Sequence, residues 1–229
     1  MTTTTTDHGA GRRWLPLLAA CGFLLGFLAF SAAGGLVATD QLPLPDDPTS
    51  DVVRYYTDNP AAPVVSGLLM LASVAALLTF VRGAQGTIIR GGAATIAGWA
   101  AAVLLVASAG FGFALALFTP DLSDGSVELL RDANFYTGGA LHVTALGLLA
   151  LFICRSASDA PLGRGVVRFG YGASAVAIAS LVSLPVYAAS PLIPIGRLLV
   201  MVWAITAAVS ALRATRPVPS AELSAQRSG

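Results

Sequence analysis

Six long apolar runs, separated by short polar connections, leave this chain few folds to choose from. They lie near residues 14–37, 61–81, 93–118, 136–154, 169–189 and 195–212. A helix that crosses a bilayer core of about 30 Å needs roughly 20 such residues. Charged residues make up only 11% of the chain, where a soluble domain carries about 25%. The expected fold class is all-α: a polytopic membrane protein forming a six-transmembrane-helix bundle, one domain over 14–213. The partner this implies is the lipid bilayer. A formal net charge of +1 gives no reason to expect nucleic acid.

Charge in the connections alternates. Arg12 and Arg13 precede the first run, Arg82 and Arg90 lie between the second and third, Arg155, Arg164 and Arg168 between the fourth and fifth, and Arg213 and Arg216 after the sixth. The other two long connections hold acids: Asp40, Asp46, Asp47, Asp51 and Asp58, then Asp121, Asp124, Glu128 and Asp132. The positive-inside bias then places both termini in the cytoplasm and the acidic loops outside. The start, "GRRWLPLLAACGFLLGFLAFSAAGG", has the basic lead of a signal peptide, but such h-regions run 7–15 apolar residues, and this one exceeds twenty. A retained first helix is expected. The polar stretches 1–13, which includes His8, and 214–229 are expected to be disordered tails.

The acidic loops carry further pattern. In "DVVRYYTDNPAAP", Val52, Tyr55, Tyr56 and Asn59 follow helical spacing, with Asp51, Arg54 and Asp58 opposite. This predicts a short interfacial helix near 51–58, its tyrosines anchored at the membrane surface and Arg54 paired with Asp58. Asn59 is expected to cap the second span, with Pro60 at its first helical position. A second interfacial helix is expected near 126–134. Asp58 and Arg82 thus have counterparts in Asp132 and Arg155, a spacing that fits either an internal duplication or convergent loop design. Gly22 and Gly26 form a GxxxG pattern suited to close helix packing, and Pro185 should kink or end the fifth span.

Two ionisable residues break the lipid-facing pattern. His142 falls six residues past Tyr136, roughly 9 Å into the fourth span at 1.5 Å per residue. A group at that depth should face the bundle interior. Arg197 opens the sixth span, on the side where arginine is disfavoured and where the helix dipole opposes a cation. An arginine at a span centre costs about 2.5–3.5 kcal/mol, so a compensating acid is expected, Glu128 or Asp132. Two readings of these residues stay open. One is a stabilising network. The other is an outward-facing polar vestibule whose ligand-binding candidates are Tyr56, Asp58, Asn59, Glu128, Asp132, His142 and Arg197.

Catalytic signals are missing. The chain has no H-E-x-x-H, no G-x-S-x-G and no glycine-rich phosphate loop, and "GGAATIAGWA" reads as helix packing. Glu128 and Asp132 share a helix turn and could serve as an acid/base pair, but a solvated acidic helix face is the far commoner explanation. One intramembrane histidine does not make a haem or metal site, and Cys21 and Cys154 read as small buried hydrophobes. No cofactor is expected.

The segment "VVRYYTDNPAAPVVSGLLMLASVAALLTFVRGA" resembles an uncharacterised group of actinobacterial integral membrane proteins, a domain of unknown function with an "FYxDN"-like segment before its second span. Tyr55, Tyr56, Asp58 and Asn59 carry the likeness, with tyrosine in place of phenylalanine. The resemblance implies a bundle of about six helices and lends no activity. The functional expectation is a non-enzymatic membrane protein that binds a small molecule, a lipid or a membrane-protein partner. The alternative is a small transporter or permease-like carrier.

Overall fold

The computed structural model describes residues 8–40, 42–44, 46–157 and 162–214. The described chain is helical, with six helical stretches long and apolar enough to cross a membrane. Eight α-helices follow in order: α1 (His8–Val37), α2 (Thr49–Asp58), α3 (Ala61–Gly83), α4 (Gly92–Phe118), α5 (Asp124–Tyr136), α6 (His142–Arg155), α7 (Arg164–Ala179) and α8 (Leu192–Ala214). The first candidate span, Arg13–Val37, falls at its expected place, but α1 begins at His8, so residues 8–13 of the expected disordered tail are helical; tail residues 1–7 and 215–229 lie outside the described residues.

The spans close into a ring in which α1 meets α3, α3 meets α4, α4 meets α6, α6 meets α7, α7 meets α8, and α8 returns to α1. Contact between α6 and α8 cuts across this ring. Most of the interior is one cluster of apolar side chains, among them Phe80, Leu146, Leu149, Ile153 and Trp203. Outward faces are equally apolar, with Leu18, Leu25, Leu68, Ile96 and Val103 exposed. Helices apolar all round suit a hydrocarbon solvent and not water.

Small residues set the closest approaches. A Cβ on Gly26 would lie 3.1 Å from that of Ser73 on α3, and the Ser73 hydroxyl donates to the Phe23 carbonyl at 3.1 Å. The GxxxG of α1 is therefore an α1–α3 seam.

One end of the bundle gathers the arginine-bearing turns, and the other carries α2 and α5. At this acidic end α2 is amphipathic as the spacing predicts: Val52, Tyr55 and Tyr56 are buried, while Arg54 and Asp58 are exposed. They pack on Leu115, Ala116 and Val127, a small second core joining α2, α4 and α5.

Four local expectations are corrected. Arg54 pairs with Asp51 at 3.1 Å, three residues away, and not with Asp58. The second loop helix is not a separate interfacial element, because α5 runs into α6 through a π-helical turn at Thr137–Leu141. The fifth span begins earlier than expected, at Arg164, and α7 ends at Ala179 in a 3-10 turn, Ser180–Ser183, ahead of Pro185. In that turn the Ser180 and Ser183 hydroxyls donate to carbonyls three residues back. Such back-bonding competes with the regular helical pattern and helps end the helix. The fourth correction, Asn59, belongs to the site.

Candidate functional site

The floor of the site is built around the break between α5 and α6. Gly139 leaves helical geometry there (φ −92°, ψ −106°), which a residue without Cβ tolerates most easily. The break sits against α4, where a Cβ on Gly138 would collide with the Ser108 hydroxyl. Ser108 itself donates to the Asn134 side-chain carbonyl at 2.5 Å. A π-turn interrupts the regular hydrogen-bond ladder, and so it presents backbone carbonyl oxygen to the bundle interior.

Arg197 uses that oxygen. Its Nη2 donates to the Gly138 carbonyl, and the guanidinium lies 5.0 Å from the centre of the Phe27 ring, in a cation–π arrangement. Among the described residues no carboxylate approaches it within the 4.0 Å of an ion pair, which corrects the expected partnership with Glu128 or Asp132. Those two acids face Arg131 instead, at 3.9 and 3.2 Å, and Arg131 also donates to the Asp47 carbonyl at 2.9 Å. The reason is geometric: Arg131 shares their helix, whereas Arg197 enters the bundle from α8.

His142 starts α6 and is fully buried. Its Nδ1 lies 2.8 Å from the Ala101 carbonyl of α4, so Nδ1 carries the proton and donates. That leaves Nε2 as the accepting nitrogen. Among the described residues neither Nε2 of His142 nor Nε of Arg197 has a hydrogen-bond partner, and both residues line one narrow void of about 10 Å³.

Above this floor, towards the acidic end, lies a larger chamber of about 430 Å³ between α1, α3 and α4, under α2. Phe30 and Met70 border both spaces. The chamber walls are mostly apolar (Phe30, Met70, Ala109), with Ser66 and Ser108 as isolated hydroxyls and Asp40, Tyr55 and Tyr56 around the mouth. A concave apolar site with a few convergent polar groups is the usual form of a small-molecule pocket.

Tyr56, Tyr55 and Asn59 hold the roof. Burial pushes the Tyr56 hydroxyl up to about 12, its neighbour Tyr55 adds to the rise, and a hydrogen bond with Asn134 opposes it. Tyr55 is raised by burial and by the Asp40 carboxylate. Both phenols are therefore neutral donors at physiological pH. Asn59 is the C-cap of α2 and not the N-cap of the next helix. Its side-chain carbonyl accepts from the Thr39 amide at 2.8 Å and the Thr39 hydroxyl at 2.9 Å, and its amide donates to Asp40 at 3.2 Å and to the Tyr55 carbonyl at 3.2 Å. One buried side chain thus ties the end of α2 to the segment leaving α1. Asn59→Ala is expected to cost about 1–3 kcal/mol, because it strands buried polar groups. Amide hydrogen exchange should show the loss as faster exchange confined to residues 49–58. An unchanged exchange rate there would contradict it.

Of the seven candidates, Tyr56 lines the chamber, Asn59 ties down the end of the helix that covers it, and His142 and Arg197 line the separate narrow void. Asp58 is exposed on the far side of α2, and Glu128 and Asp132 stay with Arg131 on α5. The acid at the mouth is Asp40, which its place in an acidic loop did not single out. Ser108 and Phe27 carried no sequence signal either. Among the described residues no three metal-ligating side chains gather. No family model, curated protein or solved structure matches the chain.

Proposed function

We propose that this chain is a multi-pass protein of a bacterial cytoplasmic membrane, with cytoplasmic termini, which binds an amphipathic small molecule or single lipid in an outward-facing chamber. The observation that carries the reading is the chamber itself: about 430 Å³, apolar in its walls and polar at its mouth and below its floor. Volumes of roughly 300–1,000 Å³ are typical of small-molecule sites. The polar vestibule becomes, on this reading, an apolar chamber with a polar rim. Binding without chemistry is favoured because, among the described residues, no nucleophile–base pair lines it.

A carrier is the second reading, supported by the break at Gly139, since transporters place their sites at interrupted helices. Against it, the interior between His142 and the arginine-bearing turns is filled by Leu77, Val81, Leu149 and Trp203, all buried.

The test is native mass spectrometry of the protein purified in mild detergent, followed by proteoliposome uptake of whatever amphiphile is retained. Retention without uptake supports the binding protein, and uptake supports the carrier. A protein that retains nothing and gains no stability from any added lipid would sink both.

A further inference from the structure

We propose that the narrow void beneath the chamber is a binding site for a single water molecule, held between Arg197, His142 and Ser73 as a fixed part of the bundle. The inference stands apart from the ligand reading of the chamber itself. Arg197 is 7% exposed and His142 is fully covered, and both line the void. Among the described residues neither Arg197 Nε nor His142 Nε2 has a hydrogen-bond partner. Native interiors satisfy such buried groups with protein or with ordered water.

The chemistry of the three residues selects the occupant. Arg197 Nε–H can only donate. His142 Nε2 accepts, because Nδ1 carries the proton and donates it to the Ala101 carbonyl at 2.8 Å. Ser73 also lines the void, and its hydroxyl donates to the Phe23 carbonyl at 3.1 Å, so its oxygen is left to accept. The site therefore asks one small species to accept once and donate twice. Water does both. Chloride would answer the guanidinium but meet two lone pairs, and ammonium would answer the lone pairs but meet a cation. Size agrees, since the void is about 10 Å³ and a single water needs about 10–15 Å³. A buried water typically makes about three hydrogen bonds. The other walls, among them Phe23, Phe27, Leu105 and Met201, are apolar and confine the water to these partners. So bound, it joins α3, α6 and α8 at one point, and it gives the buried guanidinium a hydration bond.

Proton-detected solid-state NMR on the full chain in phosphatidylcholine bilayers, with nitrogen-15 histidine, tests this. The chain has two histidines, and His8→Gln leaves His142 as the sole reporter. Nε2 is expected to show a short-range cross-peak to an exchangeable proton distinct from the Nδ1 proton, and the peak should vanish in deuterium oxide. Replacing chloride by gluconate should leave the peak and the Nε2 resonance unchanged. Arg197→Met removes the donor to the water, and the cross-peak should be lost while the Nδ1 bond to Ala101 persists. An Nε2 with only carbon-bound protons beside it overturns the proposal, as does an Nε2 that carries its own proton. A resonance that moves when chloride is withdrawn overturns it in favour of an anion at Arg197. A cross-peak that survives Arg197→Met at full strength overturns it as well. Should Arg197→Met not fold, the spectrum with Arg197 in place still decides.

Discussion

A Gly196→Val protein is expected to lose about 1–3 kcal/mol of stability or more, the range for forcing extra carbons into a packed interior. Gly196 sits where α8 crosses α7: a Cβ there would lie 2.8 Å from the Ala177 Cα and 3.2 Å from Val143 Cγ1. The first obstacle is backbone, which cannot turn away as a side chain can. The helices must separate, and the next residue is Arg197, so the separation also displaces the guanidinium from the Gly138 carbonyl. Thermal or chemical denaturation in detergent micelles measures the loss. Gly165→Val, on α7 where a Cβ meets nothing within 4 Å, is the control and should leave stability within about 0.5 kcal/mol, as surface substitutions usually do. Equal melting of all three proteins would show that the α7–α8 crossing is looser than described.

Gly112→Phe should have the opposite profile, with the fold kept and the ligand lost. Gly112 lines the chamber on α4, and a Cβ there has no neighbour closer than the Asn134 amide nitrogen at 3.9 Å. The backbone therefore accepts a side chain, and replacing glycine within a helix favours the helix by up to about 1 kcal/mol. A phenyl ring fills much of the space an acyl chain would use. Affinity for the retained amphiphile is expected to fall at least about tenfold, equivalent to about 1.4 kcal/mol, with the melting temperature held or raised. Undiminished retention would place the ligand elsewhere on the molecule.

Much of the fold is legible because hydrophobic length is a coarse property that tertiary contacts hardly alter. All six expected runs correspond to candidate spans, and the spacing of Val52, Tyr55 and Tyr56 marked the buried face of α2. What went astray depended on single contacts. Arg54 chose the acid three residues before it over the one four residues after, two partners that helical spacing leaves nearly equivalent. Asn59 was assigned to the helix that follows it, when its side chain serves the segment that precedes α2, twenty residues back along the chain. For Arg197 the need for compensation was correctly read, but an acid was sought. A backbone carbonyl released by a helix break leaves no mark in composition, and "TGG" before His142 was the only hint. The chamber was invisible for a related reason: it is defined by where α1, α3 and α4 do not touch, and no residue type encodes a gap.

The break at Gly139 bears on the order in which such a chain is made. Both groups that receive the Arg197 guanidinium, the Gly138 carbonyl and the Phe27 ring, precede it in sequence. A chain synthesised from its N-terminus therefore has the cradle for this cation in place before the cation emerges. The last span carries a buried arginine near its start, and among the described residues the two groups that meet its guanidinium stand on α1 and in the π-helical turn after α5. On this reading α8 is the closing piece of the ring, docking against α1, α6 and α7 as it is released, where the Gly138 carbonyl and the Phe27 ring already stand.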